Sequence, residues 1–420
     1  MGEPCRGPGA TVRGTARWRE AATDAVPLLL AVVVLFSLFR YVHAVSKVLM
    51  EAPFIDFAHY YTNATIVSWG ENPFDQPALG PVDERLQIRR AQAPANYPPL
   101  FYLLMRPWIL LPFRPAAFAW AVAGQICLGV TAWLCLRQFP AAPSARIGAA
   151  VFVLLNYQPL MENLALGQVN VFLLALMAAA WVALRTDRPW IVAGAVAVAV
   201  HTKAQYALLL PLLGWLGHWG ALVRATLLAG LGVAVGLLAM GLDHNFSYAR
   251  YILAFPTNLL TWTANISPAA VLHRLLAGLP GGPSVAHGLS LAVAATLLWV
   301  FARALPRGTR PLGEALDWGW GLGLAAVPLF SPLTEEHHLV VLLLPLTFLL
   351  LGAPDAPRAW IDHVLVIAGV LLLGSRYSLE RFPAVHQGIP SLLLAGKLLG
   401  VAALAWALMR RLTAMREAGS

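Results

Sequence analysis

Apolar runs too long and too numerous for one water-soluble core constrain this chain more than any other feature. They fall at 25–45, 116–136, 147–160, 169–184, 190–201, 208–216, 222–241, 285–302, 316–330, 339–351, 361–374 and 392–408, many separated only by short polar or Pro/Gly breaks. With 59% hydrophobic and 12% charged residues and a mean hydropathy of +0.67, the chain cannot cover this surface by folding on itself in water. The sequence therefore predicts an all-α, polytopic integral membrane protein with about 11–13 transmembrane helices. Several runs fall short of the ~20 residues that cross hydrocarbon, which predicts half-spans whose ends are buried in protein.

Basic residues set the expected orientation. Arg6, Arg13, Arg17 and Arg19 precede the first run, and Arg410, Arg411 and Arg416 follow the last, which places both ends in the cytoplasm. Arg185 with Arg188, Arg224, the group Arg303, Arg307 and Arg310, and Arg358 fall in short connections on the same side. The expected organisation is a cytoplasmic tail at 1–23, one integral membrane domain at 24–410 and a second tail at 411–420. Segments 46–98 and 243–283 are its long external loops, the first with juxtamembrane helices, and 331–338 and 375–388 lie on the same face. Crossing parity then requires 99–113, interrupted by Arg106, Pro107 and Pro112, to be re-entrant or interfacial, which keeps Arg137 and Arg146 inside. The first run exceeds a signal h-region and lacks a small-residue cleavage site, so it reads as a retained anchor. The formal charge of +9 is a topology signal and does not imply a nucleic-acid partner. Cys5 lies in the tail and Cys127 and Cys135 in one apolar run, so no external disulfide is expected.

Polar residues at the external ends of the runs are the functional candidates. Asp56, His59 or Tyr60, and Asn63 recur at three- and four-residue spacing, which predicts one polar face of a short helix. The opposite face, with Phe57, Tyr61, Ala64 and Val67, is expected to rest on lipid headgroups. Asp56 also suits the N-cap of that helix, whose end is marked by Trp69-Gly70-Glu71-Asn72-Pro73-Phe74. Glu162, Asn163, Gln168 and Asn170 surround Gly167, a density that fits either a hydroxyl-rich ligand or an interhelical polar clasp. Lys203, between two apolar runs, offers a cation to a lipid or ligand phosphate, or simply snorkels. Within Ser331-Pro332-Leu333-Thr334-Glu335-Glu336-His337-His338, neighbouring side chains should point apart and the i, i+4 histidine spacing of a zinc helix is missing. Hydrogen bonding to phosphate or sugar is the expectation there; no metal and no cofactor is predicted.

The ordered set Asp56-Phe57, Gly70-Glu71-Asn72-Pro73-Phe74, Tyr97-Pro98-Pro99-Leu100, Gly167-Gln168-Val169-Asn170, Lys203, Asn265-Ile266-Ser267 with Arg274, and Ser331-Pro332 with His337-His338 resembles glycosyltransferase family 87 of the GT-C superfamily. The resemblance extends from Phe54 to about Leu351. It implies a polyprenyl-phosphate-mannose-dependent α-(1→2)-mannosyltransferase, with Asp56 as catalytic base and Lys203, Arg274 and His338 on the donor phosphate. His59, Tyr60, Asn63, Gln168, Asn170, Asn265 and His337 would contact substrate. Two positions depart from the family pattern: Glu335 and Glu336 precede the paired histidines where a Trp is usual, and Ile266 stands in an Asn-Gln-Ser motif.

Elementary chemistry agrees. Soluble nucleotide-sugar enzymes need a dinucleotide-type crevice and commonly an Asp-x-Asp metal site, and the chain has neither motif. A donor carried in the bilayer is expected instead. Its phosphate leaves as an anion, so one base suffices where glycosidases need two carboxylates. The expected partners are thus a polyprenyl-phosphate sugar, a glycolipid or glycan acceptor and membrane lipids, with the site on the external face of a multi-pass, bacterial plasma-membrane protein. A lipid-linked sugar transporter or flippase would instead show inverted repeats and polar groups through both halves of the membrane. A non-catalytic polyprenyl-lipid-binding protein would not need Asp56.

Overall fold

The computed structural model describes residues 9–74, 86, 95–253, 258–308, 310–352, 360–376 and 378–419. Cys5, Arg6, Arg358 and most of 75–94 in the first external loop lie outside them, as do the side chains of Arg13, Arg17 and Arg19. Among the described residues every regular element is helical, as the apolar pattern predicts. In chain order these are α1 (Gly9–Glu51), α2 (Ile55–Ser68), α3 (Pro99–Leu104), α4 (Phe113–Gln138), α5 (Ser144–Leu155), α6 (Gln158–Leu166), α7 (Asn170–Arg185) and α8 (Pro189–Thr202). There follow α9 (Leu209–Trp215), α10 (Trp219–Leu253), α11 (Asn258–Thr261), α12 (Pro268–Leu275), α13 (Gly282–Ala304), α14 (Glu314–Phe330), α15 (Leu343–Leu351), α16 (Trp360–Gly374) and α17 (Gly396–Gly419).

Five stretches, at Leu28–Glu51, Phe113–Gln138, Trp219–Leu253, Gly282–Ala304 and Ile389–Glu417, are long and apolar enough to cross a bilayer, so this is a multi-pass membrane protein. Six further apolar helices have only 10–17 residues, or roughly 15–26 Å at 1.5 Å per residue. They are shorter than the ~30 Å hydrocarbon layer and need protein around their ends. Burial follows this division. On α1, Leu28, Leu35, Phe36 and Phe39 are exposed, as lipid-facing side chains are, whereas Trp181 of α7, Trp320 of α14 and Phe348 beside them are fully buried. α10 leaves helical geometry at Gly241, where φ is 79°, a value open to glycine without strain.

Where α7 ends, charge is paired: the Asp317 carboxylate accepts from Trp181 Nε1 at 2.7 Å and pairs with Arg185 at 3.0 Å. Asp362 is likewise held by Arg410 at 2.6 Å. α7 and α8 then run antiparallel from this end to Asn170 and Lys203, spanning about 24 and 21 Å.

Two expectations for the first external loop are corrected. Residues 57–67 of α2 are buried all round, Phe57, Tyr61, Ala64 and Val67 included, so no face rests on headgroups. Protein takes that place, because Phe57 packs on Phe113 and Trp120 with ring centroids 6.0 and 5.3 Å apart, and Tyr61 donates to the Leu111 carbonyl at 2.8 Å. The covering piece is 99–113, folded as the six-residue α3 and a 3-10 turn over Trp108–Leu110, both too short to cross. The N-cap is also different. Phe54 occupies it in the left-handed region (φ 49°, ψ 50°), and Asp56 lies inside the first turn.

Candidate active site

A carboxylate in the first turn of a helix sits in the field of that helix's free N–H groups, and Asp56 does so at the start of α2. Its Oδ2 accepts from Gln168 Nε2 at 2.8 Å, although the two residues come from connections far apart in the chain. Gly167 makes this approach possible. Its φ is 70°, and a Cβ there would lie 2.7 Å from Cβ of Phe57, so a side chain would push the 167–168 turn off α2. Trp120 Nε1 donates to the Gly167 carbonyl at 2.9 Å and fixes the turn. Phe54 is buried beneath it in its left-handed conformation, which places backbone strain two residues from Asp56.

Gln168 is oriented by its other end. The Tyr60 hydroxyl donates to Gln168 Oε1 at 2.7 Å and is therefore left to accept from the Tyr97 hydroxyl, 2.8 Å away. Asn170 Nδ2 reaches the same Oε1 at 3.4 Å. With its oxygen engaged by donors, the amide must turn its NH2 group to Asp56. Asn163 braces the turn, donating to the Gln168 carbonyl at 3.1 Å and accepting from Asn170 N–H at 3.2 Å. The polar density around Gly167 is thus an interhelical clasp whose working end is a carboxylate. Burial holds the Tyr60 and Tyr97 phenols well above their ordinary pKa, so both remain donors. Burial also raises Asp56 above the ordinary 3.8, while the Gln168 hydrogen bond and the Lys203 charge pull it back.

Lys203 follows the last turn of α8, and its ammonium lies 5.9 Å from the centre of the Tyr97 ring. It is buried, and Nζ has no hydrogen-bond partner among the described residues. Burial lowers its pKa, against the opposing pull of Glu335 and Asp56. Glu335 is the counterpart: burial and the Asp56 charge raise its pKa, and Lys203 lowers it. Asp56, Lys203 and Glu335 therefore form one charge cluster. Sequence reasoning passed over Glu335 as a site residue; the available signal was an acid two places before paired histidines. Glu162 lies in the same field, pushed up to about 8 by burial, Glu336 and Glu335, with Oε2 unpartnered among the described residues. Glu336 itself pairs with the buried Lys397 at 2.8 Å.

The expectation that side chains around His337 and His338 point apart is corrected as well. Residues Glu336–Leu342 form a 3-10 helix, in which positions i and i+3 eclipse. Glu335 at its N-cap and His338 are such a pair, and one ligand atom each from Glu335, His337 and His338 lie within 4.8 Å of one another. His338 is largely committed to backbone: its Nδ1 accepts from Glu335 N–H at 3.2 Å, and its ring also bonds the Leu333 backbone. His337 has neither ring nitrogen hydrogen-bonded among the described residues and holds Nδ1 3.9 Å from Glu335 Oε2. Glu335 and His337 are hence the groups best able to take a sugar hydroxyl or a cation.

The remaining candidates each hydrogen-bond to neighbouring residues. His59 Nε2 lies 3.2 Å from Asn96 Oδ1, and Asn63 donates back to the His59 carbonyl at 2.8 Å. Asn265 donates to the Leu259 and Pro332 carbonyls, both at 2.9 Å, and accepts from Ser267 and Thr334 N–H. Fully buried Arg274 binds the Trp262 and Asn265 carbonyls at 2.8 and 2.6 Å and is not among the charges acting on Asp56, Lys203 or Glu335. The structure thus joins Asp56, Tyr60, Gln168, Asn170 and Lys203, sets His337 and His338 beside Glu335, and ties His59, Asn63, Asn265 and Arg274 to neighbouring residues, with Asn63 Oδ1 and Arg274 Nε and Nη2 left without a partner among the described residues.

Compared with known proteins, the chain matches the profile of glycosyltransferase family 87 over residues 96–332, more than half its length. That stretch contains Tyr97, Gln168, Asn170, Lys203, Asn265 and Arg274, and leaves Asp56 and Glu335 on either side. No curated protein matches.

Proposed function

This chain belongs to glycosyltransferase family 87 and is a membrane glycosyltransferase; from that premise we propose that it transfers mannose from a polyprenyl-phosphate donor to a hydroxyl of a glycolipid or glycan, with inversion and with Asp56 as general base. The observation that carries this reading is the charge arrangement around Tyr97. A buried ammonium without a hydrogen-bond partner among the described residues, Lys203, acts on the Asp56 carboxylate without forming a salt bridge to it. Such an orphan cation suits an anionic ligand group, and a base opposite it suits a neutral nucleophile.

In the proposed step the acceptor O–H bond breaks and its proton passes to Asp56. The oxygen forms a bond to the anomeric carbon while the bond from that carbon to the donor phosphate oxygen breaks. The electron pair leaves on the polyprenyl phosphate, where Lys203 stabilises the gathering charge. In-line displacement inverts the anomeric centre. Gln168 holds the carboxylate in place through one hydrogen bond to Oδ2, and Glu335 and His337 offer partners for sugar hydroxyls. The choice of mannose follows the family resemblance.

The test supplies membranes containing the protein with radiolabelled polyprenyl-phosphate sugars. Mannose label should move into lipid or glycan, and Asp56→Asn should reduce transfer roughly 10²–10⁴-fold with donor binding retained. Near-full turnover by Asp56→Asn would remove Asp56 from the reaction. Lys203→Ala should raise the apparent KM for the lipid donor.

A further inference from the structure

At the far end of α7 and α8 from Lys203 lies a cavity of about 230 Å³ that the transfer reaction does not use. Its wall carries three guanidinium groups, Arg188, Arg224 and Arg310, with Asp187 as the one acid. None of these four forms an ion pair with another described residue. Two helices begin at the wall, α8 with Pro189 and α10 with Gly220 beside its first residue, so the positive poles of both lie there. His218 completes the lining; the residue is only 7% exposed and its Nε2 has no hydrogen-bond partner among the described residues.

The backbone is held in unusual geometry around this space. Of the three described non-glycine residues with positive φ, two line it: Asp187 at 48° and Arg310 at 42°. Such conformations persist where surrounding structure enforces them. The Arg310 loop is tied to the helix-connecting turn by Gly308 N–H to the Trp215 carbonyl at 2.9 Å. Depth is marked by Trp190 and Trp219, the first or second residues of α8 and α10, which are 62% and 61% exposed. Exposed tryptophans at helix starts lie at the headgroup level of a bilayer, and the Arg224 guanidinium rests 5.0 Å over the Trp190 ring.

We propose that this cavity is a phosphate-binding site, separate from the transfer centre and at the opposite membrane face, built to hold the phosphate of an anionic phospholipid headgroup. Three guanidinium groups against one carboxylate leave a net positive site, and guanidinium is the side chain that best matches phosphate oxygens. Two helix N-termini add positive potential, and His218 Nε2, without a partner among the described residues, adds a donor. The interfacial tryptophans make a lipid the source that reaches the cavity without leaving its leaflet, whereas a soluble phosphate would enter from the aqueous side.

The experiment uses the full chain in nanodiscs of phosphatidylcholine with and without phosphatidylglycerol, and reads bound lipid by native mass spectrometry. Wild type should retain phosphatidylglycerol, and Arg224→Gln and Arg310→Gln should each lower retention about fivefold. Arg224→Lys with Arg310→Lys, which keeps the charge, should recover most of it and guards against misfolding of the neutral variants. Arg137→Gln removes a cation from the end of α4, outside the cavity lining, and should leave retention unchanged. In parallel, inorganic phosphate is added to the phosphatidylcholine nanodiscs and melting is compared with sodium chloride at equal ionic strength. Stabilisation by phosphate, lost in the Gln variants and without lipid retention, would keep the site and assign it to a soluble phosphate. Neither response, or an equal loss with Arg137→Gln, would overturn the proposal.

Discussion

Among single residues, Gln168 does the most to define what Asp56 can be. Its amide donates to the carboxylate while two hydroxyls and an asparagine occupy its oxygen side, so the proposed base has a fixed hydrogen-bonding environment in the absence of substrate. The direction of the pH effect follows. Burial puts the Asp56 pKa above 3.8 and the Gln168 bond lowers it. A base must be ionised, so transfer should fall as pH drops through that raised value. Gln168→Leu removes a lowering contribution, so its acid limb should move to higher pH, and transfer near neutrality should drop about tenfold or more; a pH–rate profile of both proteins checks this. An unmoved acid limb would mean that another group controls it. Asp56, Gln168 and Lys203 were legible in the sequence because each is a polar group at the end of an apolar run. Glu335 was not, because its effect on Asp56 arises between residues 279 positions apart in the chain and depends on packing. Asn265 shows the converse: its residue type suits a ligand, but its amide reaches main-chain carbonyls, which only the folded loop reveals, whereas Arg274 spends Nη1 on carbonyls and keeps Nε and Nη2 without a partner among the described residues.

Elements were legible where periodicity and composition act locally. The stop of α2 at Ser68 follows from Gly70, with φ 79°, and the failure of 99–113 to cross follows from its prolines. The start of α2 was misread because capping preference favours Asp, whereas the aromatic packing of Phe54 and Phe57 under Gly167 moves the cap to Phe54. The headgroup-facing assignment failed for a related reason: aromatic side chains suit a lipid interface and a protein interior equally, and Phe113, Trp108 and Trp120 supply the interior. Gly167→Ala tests this junction. Left-handed backbone and a Cβ contact of 2.7 Å should together cost about 1–3 kcal/mol of stability, lower the melting temperature, and reduce transfer more than melting alone explains, because Gln168 is carried away from Asp56. Wild-type melting and transfer in that variant would show the turn to be slack.

At the scale of the whole molecule, all-α membrane architecture was legible from hydropathy alone, while the length of each crossing was not. About 11–13 crossings were expected; five helices have full length and six are short. Short helices such as α7 and α8 stay buried and put the charge cluster at one end and the arginine-lined cavity at the other. Sidedness gives a direct prediction. In a variant with Cys5, Cys127 and Cys135 replaced by Ser, an impermeant thiol reagent should label Trp69→Cys and Arg188→Cys from opposite sides of sealed vesicles; labelling from one side would contradict the antiparallel course of α7 and α8. The orphaned Lys203 ammonium also bears on folding itself. Arg185, Arg410 and Lys397 are buried or half-buried with acidic partners, but Lys203 has given up water without gaining a hydrogen bond among the described residues, which weakens the native state. On the proposed function, a donor phosphate seated against it completes that part of the structure, so that a protein with ligand at a hundredfold excess over Kd gains about 2.7 kcal/mol against unfolding.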